Sequence, residues 1–301
     1  MKGGPIRDEG EGVIGKPRRE IQKATRRPLL GPFRYPSRRQ IVRRTASAAV
    51  AVVAFLFVFW LGEAGLYNLS FAEEIVPALE RGFSGTMWLV GFVIPVGFGT
   101  GLMMASARTS DSRIARAIGG TYVEFFRSMP PFTLIAFSSL LATKLLRTVF
   151  YIDNPVGLAV AAATFALALH SGSYQTEILR AGILSVPAGQ VEAAYALGLT
   201  RSRTLFNVIL PQAFRISLPA LGNEFSSVIK DTSLLSAISA VELAFIGGVL
   251  VNNALSRDFN LPFIIWSEIS VLYFVLTYAV VWIVRYAENR SKVPGLEAAQ
   301  L

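Results

Sequence analysis

The segment at residues 186–211 reads VPAGQVEAAYALGLTRSRTLFNVILP and lies between two apolar parts of the chain. Pro187 can begin a helix without losing a needed N–H group, and Glu192 in an early turn suits the positive end of that helix. Gly198 can end the helix in a left-handed cap, and the residues after it can form a second short helix closed by Pro211. The pattern predicts a compact elbow of two short helices. An ordinary amphipathic helix at a membrane surface explains the same residues equally well.

Apolar stretches surround this elbow on both sides. A helix needs about 20 residues to cross roughly 30 Å of hydrocarbon, because backbone polar groups must be satisfied internally in lipid. The chain is 52% hydrophobic with a mean hydropathy of +0.48. We therefore expect an all-α integral membrane protein with six transmembrane helices. Their predicted positions are residues 46–62, 86–107, 131–146, 155–171, 232–251 and 261–285.

The distribution of charge predicts the domain organisation and the orientation. Residues 1–45 hold thirteen basic and four acidic side chains, which accounts for the whole net charge of +9. Basic segments beside a span stay in the cytoplasm and attract anionic lipid, and the basic residues of the later loops put both termini there. We expect a disordered basic tail at 1–45, a transmembrane domain at 46–286 with the elbow at 186–211, and a second cytoplasmic tail at 287–301. The basic tail lacks the interleaved aromatic residues of a nucleic-acid reader, so no nucleic-acid partner is expected.

The residue types needed for chemistry are scarce. The chain has no cysteine and one histidine, so neither a thiolate nucleophile nor a histidine metal cluster can form. GEGVIGK at residues 10–16 matches part of a phosphate-binding loop, but polar residues precede it and Pro17 follows where Ser or Thr would bind Mg²⁺. We expect no catalytic residue, cofactor or metal in this chain, which argues against an integral-membrane enzyme.

The elbow also carries a family motif. Its residues resemble the EAA loop of the permease subunits of ATP-binding-cassette (ABC) importers. The matching positions are Glu192, Ala193, Ala194, Gly198, Leu210 and Pro211.

Three further motifs resemble the polar amino-acid uptake branch of that family. YVEFFRSMP at 122–130 is similar to YVE-x-FRGTP, SGSYQTEILR at 171–180 is similar to SGAY-xx-EI-xR, and KDTSL stands at 230–234. The resemblance extends from about residue 83 to 287. It implies a core of five helices of the type I importer fold, to which the tail and the first span are an N-terminal addition.

The resemblance implies a division of labour among several proteins. The elbow would be a coupling helix that docks on a separate cytoplasmic ATPase, which binds ATP and Mg²⁺. Glu192 would orient the elbow and Gly198 would form its turn. A solute-binding protein outside the membrane would deliver a polar amino acid, and a second permease subunit, identical or a sister chain, would complete the pathway through the inner membrane.

Ionisable and polar residues in or beside the spans are candidates for the solute path. Glu177 can line it, or can simply pair with Arg180 three residues on. Glu268 lies inside the last span, where it must face protein, water or a proton. His170 and Tyr174 share a helical face with Glu177, although packing alone also explains His170. A proton-coupled secondary carrier, with Glu268 or Glu177 as its relay, remains the alternative function.

Two smaller predictions concern the helices themselves. Gly97 and Gly101 stand four residues apart, a spacing that favours close packing against another helix. Asp231, Thr232 and Ser233 are expected to cap the span predicted at 232–251.

Overall fold

A computed structural model describes residues 69–291, except 154 and 259, together with the isolated position 52. The predicted tail at 1–45 and all of the predicted first span at 46–62 except that one position lie outside this part of the chain. So do residues 292–301 of the predicted C-terminal tail.

The described residues form helices joined by short turns, with no strand among them. Each long helix is built from apolar residues with few charges, as a membrane segment requires. In chain order they are α1 (Leu69–Arg108), α2 (Arg113–Ser128), α3 (Pro131–Thr148), α4 (Val156–Leu184), α5 (Ala188–Ala196), α6 (Arg201–Thr204), α7 (Leu210–Asp231), α8 (Leu243–Ala254) and α9 (Leu261–Ser291).

Four described segments are long and apolar enough to cross a membrane. They are Glu73–Arg108, Val156–Leu184, Arg201–Ile238 and Leu261–Glu288, and the pair α2 and α3, bent by 102°, makes a fifth if it is one broken span. The bend falls at Met129 and Pro130, where extended backbone separates the two helices. The predicted spans at 86–107 and 261–285 lie within two of these segments, and the one at 155–171 begins one residue before a third. The predicted span at 131–146 lies within α3.

The span predicted at 232–251 is wrong. Residues Thr232–Ile238 form a 3₁₀ helix that continues α7, Ser239 has a positive φ of 63°, and α8 begins after an extended residue, Glu242. The apolar stretch is thus two helical segments separated by a break at 239–242, which hydropathy alone averages into one. The expected cap is also wrong, because Asp231 ends α7 and the Thr232 hydroxyl donates to the Ile229 carbonyl at 2.7 Å.

The segment that connects the spans predicted at 155–171 and 232–251 is shorter in the structure than the sequence suggested. α4 continues to Leu184, and the span Arg201–Ile238 begins inside the predicted elbow. α7 is amphipathic, because polar and charged residues occur along one side of it, and its mean hydropathy is therefore too low to be recognised in the sequence.

The core lies where α1 crosses α4. Val93 of α1 and Leu167 of α4 are almost fully buried in an apolar cluster that also contains residues of α3 and α7. The predicted close packing of Gly97 and Gly101 is confirmed, since a Cβ atom on Gly101 would lie 2.9 Å from Cβ of Gln175. A second apolar cluster joins the first half of α1 to α8 and the first half of α9.

Candidate functional site

The first half of the elbow has the local structure that the sequence predicted. Pro187 has φ −59° and ψ 131° immediately before α5, and the turn that follows α5 contains Gly198, whose φ is +78°. The Gly198 N–H donates to the Tyr195 carbonyl at 2.9 Å and the Leu199 N–H to the Ala194 carbonyl at 3.1 Å. This pair of bonds is a Schellman motif, which requires the left-handed conformation that glycine adopts at no steric cost.

The second half of the elbow differs from the prediction, because Pro211 does not close it. α6 is capped by Thr200, whose hydroxyl accepts from the Arg203 N–H, and it continues through a π-helical turn at Leu205–Ile209 directly into α7. Pro211 stands in the first turn of α7, where its missing N–H is tolerated. The elbow is therefore α5 with its glycine turn, and the turn leads into α6, which continues without a break into α7.

One face of α5 is open. Ala194 is buried at 4% exposure, whereas Glu192 and Ala193 are exposed beside Tyr195 and Leu197, the last at 83%. An exposed leucine and tyrosine on a short, rigid helix form a surface suited to another protein.

An ion pair ties the elbow to the turn between α1 and α2. The Arg201 guanidinium at the start of α6 hydrogen-bonds Asp111, and both side chains are mostly exposed. This contact with Arg201 holds the pKa of Asp111 below its ordinary value. The turn at 109–112 and the elbow therefore lie at the same end of the helices.

His170 and Tyr174 meet as predicted from their spacing on α4. Their ring centroids are 5.3 Å apart, and the Arg127 guanidinium lies 5.0 Å from the centroid of Tyr174. His170 is 6% exposed, and its Nε2 atom has no hydrogen-bond partner among the described residues.

Glu177 is held by two arginines. Its carboxylate accepts from Arg180 at 2.9 Å, which is the pair that the sequence suggested as the simpler reading, and it also contacts Arg108 at the end of α1. The second partner is 69 residues away in sequence and could not have been predicted from spacing. A carboxylate with two guanidinium partners links α1 to α4.

Glu268 lies elsewhere, on α9, a helix that packs against α7, α8 and α1. It is half-buried. The structure therefore brings His170, Tyr174 and Glu177 together on α4 and leaves Glu268 on a different helix.

Two acidic residues were missed in the sequence. Glu224 of α7 accepts from the Ser171 hydroxyl of α4 at 2.7 Å, and Gln175 donates to the same hydroxyl at 3.0 Å. Glu224 was overlooked because it lies outside the predicted spans, where a carboxylate is unremarkable.

Glu242, the second of these, is fully buried at the start of α8. It accepts from the backbone N–H groups of Ala244 at 2.9 Å and Phe245 at 2.6 Å, and from the Tyr273 hydroxyl of α9. The Thr86 hydroxyl of α1 accepts from the Leu243 N–H beside it at 3.1 Å. A carboxylate just before an apolar run is the signal that could have identified it as an N-cap.

Curated relatives match the chain over most of its length. The L-cystine transport system permease protein TcyB of Bacillus subtilis is 35% identical over 221 residues, which is 72% of this chain and 88% of that protein. The glutamine transport system permease protein GlnP of Escherichia coli K12 is 33% identical over 225 residues, which is 72% of this chain and 94% of that protein.

Solved structures show the same fold. A crystal structure of an amino acid ABC transporter with histidines superposes with a TM-score of 0.61 at 31% identity, covering 74% of this chain and 97% of that one. An inward-facing structure of the MetNI methionine ABC transporter superposes with a TM-score of 0.59 at 19% identity, covering 73% of this chain and 99% of that one.

The family described as "Binding-protein-dependent transport system inner membrane component" matches residues 97–293, which include the elbow, the polar face of α4 and the carboxylates of Glu224 and Glu242. Together with relatives that are more than 30% identical over nearly their whole length, this match shows that the chain belongs to the family of binding-protein-dependent transport system inner membrane components.

Proposed function

We propose that this chain is the membrane-spanning permease subunit of an ABC importer that moves polar amino acids into the cytoplasm. The relatives that match it are permeases of cystine and glutamine transport systems. The permease is not an enzyme; ATP hydrolysis belongs to a separate subunit, which binds ATP and Mg²⁺. Because these relatives and structural neighbours belong to binding-protein-dependent and ABC systems, the proton-coupled carrier has no support among them.

The observation that carries the proposal is the geometry of the elbow. Glu192 and Ala193 lie exposed on a short helix whose ends are fixed by Pro187 and by the left-handed turn at Gly198. A rigid helix joined directly to a long membrane helix transmits displacement better than a flexible loop does. We expect this helix to dock on the ATPase, with Ala194 packed inward and Glu192 and Ala193 facing the partner.

The topology proposed for the membrane has six spans with both termini in the cytoplasm. Five are the described segments, counting α2 and α3 as one, and the sixth is the apolar stretch at 46–62. Basic residues concentrate near the elbow, including Arg108, Arg113 and Arg201, which supports a cytoplasmic position for that end. The basic tail at 1–45 would then lie against anionic lipid of the inner membrane, and residues 292–301 would form a short second tail.

The solute path proposed here uses the polar side of α4 and α7. His170 and Tyr174 stay candidates because one ring nitrogen of the histidine has no partner among the described residues. Glu224 joins them as a half-buried carboxylate. Glu177 is engaged by two arginines and is better suited to holding α1 against α4. Glu268 remains a candidate on α9.

The partners follow from this role. Besides the ATPase, the importer would include a solute-binding protein outside the membrane and a second permease subunit, either a second copy of this chain or a sister chain. No nucleic acid is expected to bind.

The experiment that tests the proposal is affinity purification of the tagged chain from its native membrane in detergent. We expect an ATPase to co-purify, and its activity in liposomes to rise when an amino-acid-loaded binding protein is added but not when the empty binding protein is added. A chain that purifies without an ATPase and transports amino acids down a proton gradient would contradict the proposal.

A further inference from the structure

α2 has three sides of different character. One side packs against α1, where Gly119 is buried and a Cβ atom on it would lie 2.7 Å from Cγ of Arg108. A second side carries Ile114, Ile118 and Phe125, which are 50–73% exposed and are spaced so that they share one face of a helix. These three residues are called the α2 stripe below. The charged residues of α2 lie on the third side, and they are Arg113, Arg116, Glu124 and Arg127.

The direction of α2 places it near a membrane surface. α3 has 18 residues, which span about 27 Å and nearly cross the hydrocarbon without help from α2. α2 is bent by 102° from α3, so it runs close to the membrane plane. At its end the Arg127 guanidinium lies 5.0 Å from the ring centroid of Tyr174, one turn before Glu177, the first charged residue of α4. α2 therefore has the position of an interfacial helix.

The arginines in the first turns of α2 have no acidic partner. Arg113 and Arg116 are exposed, and neither lies within 4.0 Å of a carboxylate among the residues that the structure describes. Asp111 is held by Arg201. Glu124 is eight residues from Arg116, which is about 12 Å along the helix. The described part of the chain thus supplies no anion for these two guanidinium groups.

The charges beside the α2 stripe are complementary to an anionic lipid. Arg116 donates to the Ser110 carbonyl at 2.7 Å, which uses one N–H group and fixes the guanidinium at the turn before α2. The remaining N–H donors are free for a phosphate, which arginine binds through paired hydrogen bonds. Basic residues next to an apolar face are the pattern with which helices bind the surfaces of anionic membranes.

Other occupants explain only part of this face. Free phosphate would satisfy the arginines but would leave the α2 stripe in water. A stable protein interface uses roughly 20–30 residues on each side, whereas the stripe has three apolar residues with arginines next to them. An anionic lipid accounts for both the charged and the apolar residues, because its phosphate and its acyl chains lie at neighbouring depths.

We propose that α2 binds an anionic phospholipid of the cytoplasmic leaflet, with the phosphate on Arg113 and Arg116 and the acyl chains against the α2 stripe. The inference rests on the proposed topology for the choice of leaflet, and it goes beyond the proposed function because it assigns a ligand other than the solute. The pair of Asp111 with Arg201 places this lipid beside the elbow.

The test maps the lipid contacts of the full-length chain, with the subunits that co-purify with it, in liposomes. Two photoactivatable probes carry the same reactive acyl chain, and one is a phosphatidylglycerol and the other a phosphatidylcholine. We expect residues 113–128 to be labelled about fivefold more by the phosphatidylglycerol probe, because the choline cation opposes binding to arginine. This preference should disappear between about 0.1 M and about 1 M salt, where the Debye length falls from about 10 Å to about 3 Å.

The variants compare two pairs of arginines. Arg113→Gln with Arg116→Gln removes the proposed site, and Arg285→Gln with Arg290→Gln removes the same charge from exposed positions near the end of α9. Chymotrypsin is used before mass spectrometry, because the loss of arginines changes the tryptic peptides. We expect the first pair to reduce the preference at 113–128 from about fivefold to none and the second pair to leave it unchanged. The salt titration needs only the wild-type chain, so it tests the site even if the first pair does not assemble.

Several outcomes would overturn the inference. Equal labelling of 113–128 by the two probes would do so, as would a preference that persists at high salt or in the first pair of variants. Equal loss of preference in both pairs would show a general effect of net charge. No labelling at 113–128 while α9 is labelled would assign the α2 stripe to a protein partner. If the labelling is as expected but no ATPase co-purifies, the proposed function fails and the lipid site stands.

Discussion

The elbow and the crossing of α1 with α4 are both built around glycine, but for different reasons. Gly198 in the elbow has a positive φ and open space around the position of a Cβ atom. Gly172 at the crossing has ordinary helical geometry, but a Cβ atom there would lie 2.3 Å from the Thr100 hydroxyl and 3.0 Å from the Gly97 carbonyl. Gly198 allows the left-handed backbone turn of its own segment, and Gly172 allows two helices to pack closely. Changes at the crossing should therefore alter stability, and changes in the elbow should alter coupling.

The largest effect on stability is expected at the crossing. Gly172→Ala forces a methyl group against the backbone and side chains of α1, and overpacking of this kind costs about 1–3 kcal/mol. Gly157→Ala on the same helix is the matched control, because nothing lies within 4 Å of its Cβ position. It should leave stability unchanged or raise it by about 0.5–1 kcal/mol. Thermal unfolding of the purified complex in one detergent measures both, and equal midpoints would contradict the packing argument.

A second test contrasts a buried carboxylate with an exposed one in the elbow. Glu242→Ala leaves two backbone N–H groups and the Tyr273 hydroxyl without their acceptor. Each of these groups that stays buried without a water or another partner lowers the free energy of unfolding by about 1–3 kcal/mol. Glu242→Gln keeps an acceptor oxygen and should lose less. Glu192→Ala should leave the unfolding midpoint unchanged, because Glu192 is exposed. If Glu192→Ala lowered the unfolding midpoint as much as Glu242→Ala does, the predicted difference between the exposed and the buried carboxylate would be wrong.

The elbow is tested with two glycines of the same short helical region. Gly198→Asp should fold and insert, at a cost of about 1–2 kcal/mol for a Cβ atom in the left-handed conformation. We expect it to abolish ATP-driven uptake because the turn that orients α5 is distorted. Gly189→Ala is the control, since Gly189 lies in α5 with no positive φ and open space around it. Uptake assays in liposomes distinguish them, and normal uptake by Gly198→Asp would disprove the role of the turn.

The smallest effect is expected from Asp111→Asn, which weakens the exposed pair with Arg201. Since the pKa of Asp111 is lowered in the folded protein, the pair stabilises the fold above the ordinary pKa of an aspartate and loses this contribution as the pH falls through the lowered value. Unfolding midpoints of wild type and Asp111→Asn should therefore differ slightly at pH 7 and converge in strong acid. A difference in midpoint that increased as the pH fell would contradict this prediction.

Sequence reasoning succeeded where a feature depends on neighbouring residues. The helix start at Pro187, the left-handed turn at Gly198 and the pair of Glu177 with Arg180 each depend on residues a few positions apart, and each was confirmed. The family resemblance was confirmed for the same reason, because its motifs are short runs of sequence.

Sequence reasoning failed where a feature depends on distant elements. The break between the 3₁₀ segment and α8 is stabilised by Thr86, more than a hundred residues away, and by Tyr273, about thirty residues away. The apolar stretch at 232–251 was therefore misread as one span. Pro211 was misread as a helix end because the π turn that connects α6 to α7 cannot be recognised from composition.

The sequence by itself determined the membrane class, the helical fold, the first half of the elbow and the family, because hydropathy, turn-forming residues and short motifs are local properties of the chain. Only the tertiary structure decided which polar groups meet. It paired Glu177 with Arg108, placed Glu224 against Ser171 and buried Glu242 between three helices. The physical reason is that the free energy of a charge inside a membrane depends on what surrounds it, and those surroundings come from helices far apart in sequence.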